Sequence, residues 1–386
     1  METTADIVTL KLRRRIESPH NRRGPSLVDK LYRKYRGRDY IANTNAELVK
    51  KSNKYSITTS TTPTQANSAA IDQDGTDFSY FAVVDFGSSA TPMYMLIDTG
   101  ASDTWLMGSS CSSTACQSHN SFGASNSQTY NQSSETFNVS YGTGSVSGVY
   151  ASDTVAFAGF SFNMTFGVAT TTSDQFSSYP MDGIMGLART SQDVPSIMDV
   201  ISNSKALKTN MFGINLNRAS DGGHDGEINF GAADTSKFSG NLGYTTLATT
   251  NGAWVIGVDD VGTGNKGLSV TGRVAYVDTG TSYIFLPPAD AKTLHQSISG
   301  SSVSSDGSTW YVPCSTTTAV QFFFSGIGYN VSSEDWVGGK VGDLCTSNIY
   351  AIDVVGNGGW LLGDTFLKNV YAVFDADNSR IGMRQE

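Results

Sequence analysis

Two short segments of this chain repeat one another. M-L-I-D-T-G-A-S at Met95–Ser102 returns as A-Y-V-D-T-G-T-S at Ala275–Ser282, placing Asp98 and Asp278 180 positions apart. Each aspartate is followed by a second shared element, Ile184-Met185-Gly186 and Leu361-Leu362-Gly363, whose glycines fall 88 and 85 positions further on. Two motifs in the same order at nearly the same spacing call for two lobes of similar fold. A period this long means duplicated domains and not a solenoid. The chain has 386 residues, 39% of them apolar, which is enough for two cores. Its apolar runs are strand-sized, too short to span a membrane as a helix. Forty glycines against nine prolines, with no heptad pattern, favour short strands and many turns, as at Tyr80–Phe86 and Tyr94–Ile97.

One D-T-G is weak. Asp and Thr bond the local backbone in ordinary turns, and Gly supplies a positive φ. Two copies, each ending an apolar strand and each followed by Ser at the same offset, point elsewhere. An apolar strand that ends on Asp delivers a carboxylate to the floor of a cleft. If a pseudo-two-fold axis relates the lobes, Asp98 and Asp278 meet across it. Two like charges at short range share a proton over an acidic range. The ionised member then serves as general base on a water, and the protonated member as acid toward a carbonyl oxygen.

The chain resembles the pepsin-like aspartic proteases, the secreted fungal members above all, over nearly all of Phe78–Glu386. The resemblance rests on several motifs. The two D-T-G loops match the catalytic loops, and Trp105 stands where the family has a structural tryptophan. Tyr141-Gly142-Thr143-Gly144-Ser145 matches the hairpin flap. Asp182–Leu187 and Trp360–Asp364 match the loops beneath each aspartate. The resemblance implies an all-β, bilobal acid-protease fold with pseudo-two-fold lobes, preceded by a pro-segment of mixed strand and helix. It implies Asp98 and Asp278 as catalytic residues, without a covalent intermediate, metal or cofactor. Thr99 and Thr279 would brace the loops, Gly100 and Gly280 would line them, and Ser102 and Thr281 would donate to the dyad. Tyr141 would pack near Trp105 with its hydroxyl bonded there. Thr143 stands where some fungal relatives carry an acid suited to Lys beside the cut. Its presence, with Ile184 lining an apolar pocket, favours large apolar or aromatic residues around the scissile bond. Because both loops lie in one chain, a monomer suffices. Polypeptide substrates and pepstatin-type inhibitors are the expected ligands.

Charge is divided unevenly. Residues 1–60 carry 14 Lys+Arg and 6 Asp+Glu, whereas residues 61–386 carry 12 and 29. The net charge of -9 argues against a nucleic-acid partner for the whole chain. A basic arm on an acidic body fits a pro-segment docked by charge complementarity. The arm reads as a strand at Ile7–Leu12 and a helix at Ser26–Arg36, where Ser26 caps and Leu27, Leu31 and Tyr35 recur at helical spacing. Lys54-Tyr55 lies where zymogens of this family carry a Lys-Tyr plug. An ammonium between two carboxylates offsets their repulsion and displaces the water. Residues 56–70 read as an exposed, cleavable Ser/Thr/Ala linker. The expected organisation is a pro-segment over 1–68, a first lobe over 69–248 and a second over 249–386.

Four cysteines form local pairs, Cys111 with Cys116 and Cys314 with Cys345, though four allow three connectivities. Family members place disulfides at both pairs. Sequons at Asn131, Asn138, Asn163 and Asn330 permit N-glycosylation. Together these features indicate secretory passage, to the extracellular space or a vacuole, although the start has no apolar signal-peptide core. The four histidines (His20, His119, His224, His295) have no metal-site spacing and read as surface residues. No serine-hydrolase or P-loop motif occurs. A two-carboxylate glycosidase leaves the twin loops, flap and plug unexplained. A silent binding module on the same fold is the other alternative, against which both loops and Tyr141 stand intact.

Overall fold

The computed structural model describes Tyr55 and residues 57–386, apart from 142–143, 190–193 and 250. The expected arm strand and helix, Lys54 and the flap-tip residues Gly142 and Thr143 lie outside the described residues. The rest is bilobal and mostly strand.

Each lobe is organised around one strand arrangement. In the first, Thr91–Asp98 pairs antiparallel with Tyr80–Phe86 and parallel with Gly183–Gly186. Gly183–Gly186 pairs antiparallel with Trp105–Met107, which pairs parallel with Phe160–Thr172. In the second, Arg273–Val277 pairs antiparallel with Val255–Val258 and parallel with Trp360–Leu362. Trp360–Leu362 pairs antiparallel with Ile284–Leu286, which pairs parallel with Ile349–Ala351. The same sequence of directions recurs in both, so the short repeats mark a duplicated architecture. Parallel pairs of this kind are covered on both faces. That is why Met93 to Ile97 are all buried and read as a continuous apolar run.

The two hydrophobic-Gly elements are therefore the parallel partners of the aspartate strands. Asp98 stands opposite Gly186, and Val277 opposite Leu362. A Cβ at Gly186 would strike the backbone of Ala101 and Ser102, and one at Gly363 the carbonyl of Thr281. Glycine is needed at both places because the aspartate loop lies directly against its neighbour's backbone.

A third sheet joins the lobes. Its six strands run Ser68–Ala70, Glu227–Phe230, Met211–Asn215, Val370–Asp375, Arg380–Gln385 and Gly243–Thr246. A division at 248/249 leaves the last two strands of the chain paired with strands of the first part. Both cysteine pairs are bonded, Cys111–Cys116 and Cys314–Cys345, which resolves the connectivity.

The linker differs from expectation. Thr58 and Gln73 exchange backbone hydrogen bonds of 2.8 and 3.0 Å, and the Thr61 amide donates to the His224 carbonyl at 2.6 Å. Ser68–Ala70 is a strand, so among the described residues of this stretch the exposed ones are Thr59, Thr61, Thr62, Thr64 and Ala66. The reason is backbone satisfaction: polar chain that cannot bury apolar area still finds partners along a neighbouring strand. The Ser60 amide also donates to the buried Asp72 carboxylate at 2.7 Å.

Burial raises Asp72 from 3.8 to about 6, against the opposing Ser60 hydrogen bond. A group raised in the fold contributes stability that is fully present below its unfolded value. That contribution is lost as pH rises through the folded value. The melting temperature should therefore fall between about pH 4 and pH 7, with Asp72 responsible for roughly 3 kcal/mol. Asp72→Asn should flatten this part of a pH-melting series; an unchanged slope would show that other groups govern it.

Candidate active site

The two strand ends bring Asp98 and Asp278 together between the lobes. They lie close enough for the Asp278 carboxyl to raise Asp98. Each carboxyl lies over the glycine of the opposite loop: a Cβ at Gly100 would strike the Asp278 carboxyl, and one at Gly280 the Asp98 carboxyl. The glycines are exposed and the threonines before them buried. The loops thus present bare backbone at their exposed tips.

The threonines form a reciprocal lattice. The Thr99 amide donates to Thr279 Oγ1 at 3.1 Å, and the Thr279 amide to Thr99 Oγ1 at 3.1 Å. The Thr99 hydroxyl donates to the Val277 carbonyl at 2.9 Å, and the Thr279 hydroxyl to the Ile97 carbonyl at 2.6 Å. Each side chain reaches across to the strand that delivers the other aspartate.

Around the carboxyls the symmetry breaks. Asp98 Oδ1 accepts from the Gly100 and Ala101 amides at 2.8 and 3.0 Å. Asp278 Oδ1 accepts from the Gly280 amide at 2.8 Å, and its Oδ2 from the Thr281 hydroxyl at 2.6 Å. The expected Ser102 donor is absent: among the described hydrogen bonds, none joins Ser102 to Asp98. The position equivalent to Thr281 is Ala101, three residues after the aspartate, which has no hydroxyl. In the second loop the residue four on, Ser282, donates to the Phe78 carbonyl. Burial, then the charge of Asp278, raises Asp98 well above the ordinary carboxylate value. A carboxyl so placed holds a proton through the acidic range.

The segment expected to be the flap is a hairpin of Asn131–Tyr141 and Gly144–Phe157, with Tyr141 opposite Gly144. Trp105 Nε1 donates to the Tyr141 hydroxyl at 2.8 Å, as the sequence led one to expect. Burial and the Asp98 charge push the Tyr141 phenol well above its usual value, which keeps it neutral and able to donate. Phe176 packs edge-on against both rings, with centroids 5.4 Å from Trp105 and 6.3 Å from Tyr141. Sequence reasoning missed Phe176, because it lies in the short 3-10 helix Asp174–Ser178 with no pattern to mark it. Ile184 is buried beside Leu96 and Trp105 in the same cluster.

Tyr55 is buried, and its hydroxyl donates to the Ser177 carbonyl at 2.7 Å. Two of the expected surface histidines are instead fully buried, His119 and His295; His224 is exposed, and His20 is outside the described residues. His295 lies flat on Trp310 and bonds Ser347 Oγ at 2.8 Å. An aromatic imidazole with both nitrogens bonded is as readily buried as a tyrosine. Among the described residues no acidic, His or Cys cluster could hold a metal. Asn131, Asn138 and Asn163 are exposed, and Asn330 half-buried.

The comparisons agree with this geometry. A family model described as eukaryotic aspartyl protease matches residues 79–386. The chain is 43% identical over 337 residues to "Aspartic-type endopeptidase ctsD" of Aspergillus fumigatus, covering 86% of this chain and 71% of that protein. It is 44% identical over 339 residues to "Probable aspartic-type endopeptidase CTSD" of Arthroderma benhamiae, covering 86% and 66%. "Pepsin A" of Suncus murinus is 32% identical over 335 residues, covering 83% of this chain and 85% of that protein.

Thr279→Val removes both hydrogen bonds of one side chain and leaves the Thr99 amide and Ile97 carbonyl without them. It should cost about 2–3 kcal/mol in denaturant unfolding, while Ser102→Ala should cost under about 0.5 kcal/mol. Equal effects of the two would mean that the lattice is not what holds the loops.

Proposed function

This chain belongs to the eukaryotic aspartyl protease family and is an aspartic endopeptidase of the pepsin type; on that premise we propose that it is made as a zymogen and cleaves peptide bonds at acid pH through Asp98 and Asp278. The observation that supports this most is the facing pair of carboxyls, each above the other loop's glycine and each bonded differently.

In the proposed reaction a water lies between the carboxyls. The ionised member takes its proton as the oxygen attacks the scissile carbonyl carbon. The protonated member donates to the carbonyl oxygen, which gives a tetrahedral diol. Collapse of the diol breaks the C–N bond, with a proton passed to the leaving amine. Thr281, Gly100 and Gly280 hold the carboxyls, and the threonine lattice fixes their separation. Tyr141, Gly142 and Thr143 close over substrate, excluding water and orienting the peptide. The apolar cluster of Trp105, Phe176 and Ile184 favours large hydrophobic or aromatic residues around the scissile bond.

Lys54 and Tyr55 belong to the blocking arm, and the buried position of Tyr55 supports its docking on the first lobe. Acidification protonates carboxylates that attract the arm and releases it. The exposed residues between Thr59 and Ala66 narrow the region in which the arm is cut. The enzyme works as a monomer, secreted or vacuolar, with pepstatin-type molecules as inhibitors. Asn131, Asn138 and Asn163 are the sequons most open to glycosylation.

Wild type and Asp98→Asn should be held at about pH 3–4, the range of a shared-proton pair. Wild type should lose roughly its first 60 residues and then cleave denatured globin in a pepstatin-sensitive way. The variant should do neither, with turnover down by at least about a thousandfold. Cleavage by the variant at wild-type rate would remove Asp98 from the mechanism.

A further inference from the structure

The hairpin that carries Tyr141 ends its outer pairing in an irregular way. Gly144–Phe157 runs antiparallel to Phe160–Thr172, and the regular register closes with Val146 opposite Thr172. Ser145 and Ser173 would form the next pair. In an antiparallel ladder, a pair at this step exchanges two backbone hydrogen bonds. One is made: the Ser173 amide donates to the Ser145 carbonyl at 2.9 Å. The other is not, because the Ser173 carbonyl accepts from the Phe176 amide at 3.2 Å, the bond that opens the 3-10 turn Asp174–Ser178. The Ser145 amide donates to the Ser173 hydroxyl oxygen instead, at 2.9 Å. Ser173 stands just before that turn, where a serine side chain commonly caps the first amides. It makes no such cap. Its hydroxyl takes the place of its own carbonyl as the last rung of the ladder.

Both sides of this rung lead somewhere. Gly144, which pairs with Tyr141, lies directly against it: a Cβ at Gly144 would strike the Ser173 hydroxyl and come within 3.1 Å of the Phe176 ring. Tyr141 bonds Trp105 and meets Phe176 edge-on. On the other side the turn is anchored to the body. Thr172 is buried, and its amide donates to Ser113 Oγ at 3.1 Å, inside the loop closed by Cys111–Cys116. The rung itself is exposed, so water can replace the hydroxyl. Such a bond biases the hairpin toward one position without locking it.

We propose that Ser173 is a positioning residue for Tyr141: its hydroxyl ties the hairpin to the anchored turn and keeps Tyr141 seated on Trp105 for an arriving polypeptide. The proposal rests on the reading of this hairpin as the one that covers substrate. Without the hydroxyl, the Ser145 amide turns to water and the hairpin also takes positions in which Tyr141 is unseated. Apparent affinity then falls with the fraction of molecules that remain seated. The reaction within the seated complex is unaltered, so the effect belongs to KM and not to kcat. Threonine keeps the hydroxyl, and the extended backbone at this position (φ -73°, ψ 153°) suits it.

Two measurements test this. In the full-length chain carrying Asp98→Asn, amide exchange at Ser145 should quicken about tenfold on Ser173→Ala and return to its starting rate with Ser173→Thr. In the full-length chain with Asp98 intact, acidified and given a peptide with phenylalanine on each side of the cut, Ser173→Ala should raise KM about fivefold. Its kcat should stay within about twofold, its melting temperature within about 2 °C, and Ser173→Thr should restore KM. Unchanged exchange, or a KM equal to that of wild type, would overturn the proposal. A fall in kcat and melting temperature together, with no recovery in Ser173→Thr, would make the residue merely structural and overturn it too. Should wild type cleave nothing while Ser145 exchange responds as expected, the substrate-covering reading fails, and the positioning role falls with it.

Discussion

Four hydrogen bonds made by two buried threonines, two between them and two to the carbonyls of Val277 and Ile97, fix the geometry on which everything else depends. Thr99 and Thr279 are both buried. They tie each aspartate strand to the strand that carries the other aspartate, so the separation of the carboxyls is set by the fold and not by the loops alone. The bonds are buried, where water cannot compete for them and an orphaned partner would be costly. They also need the backbone to approach closely, which Gly186 and Gly363 allow by giving the neighbouring strand no side chain at the contact. Packing, strand register and the placing of the two carboxyls are therefore one arrangement.

The electrostatics of the body follow from how its carboxylates are buried. Asp98, Asp182 and Asp364 are all buried and all held above the ordinary carboxylate value, burial being the leading cause. Such groups favour the fold when protonated. Where a carboxylate must remain charged, cations are supplied. Burial alone would raise Asp335, but Lys368 and Arg218 outweigh it and hold Asp335 low. Lys368 also pairs with Asp77 at 3.0 Å, so one ammonium links the start of the first lobe to the end of the chain.

Much of this was legible in the sequence, for physical reasons that can be named. The D-T-G loops are short, local and duplicated, and their offsets carry the chemistry directly. The Trp105–Tyr141 bond could be anticipated because both residues sit at fixed places in a recurring pattern. The errors share a different character. Ser102 was assigned a bond to Asp98 from its residue type, but among the described hydrogen bonds none joins them, and Ala101, which has no hydroxyl, holds the place that Thr281 holds beside Asp278. His119 and His295 lacked ligand spacing, and spacing says nothing of burial. The linker's composition showed that it could not form a core, not that strands 150 residues away would satisfy its backbone.

By itself, then, the sequence determined the class of fold, its duplication and the pair of carboxylates, because each is written in local pattern and repeated order. Tertiary structure alone decided which hydroxyl reaches which carboxylate, which histidines are enclosed and where Tyr55 rests. Those outcomes depend on contacts between residues far apart in the chain, such as Tyr55 with Ser177 or Ser282 with Phe78, whose pairing no local pattern encodes. The joining sheet makes the same point at larger scale. Its strands come from residues 68–70, 211–246 and 370–385, and only the folded chain brings them side by side.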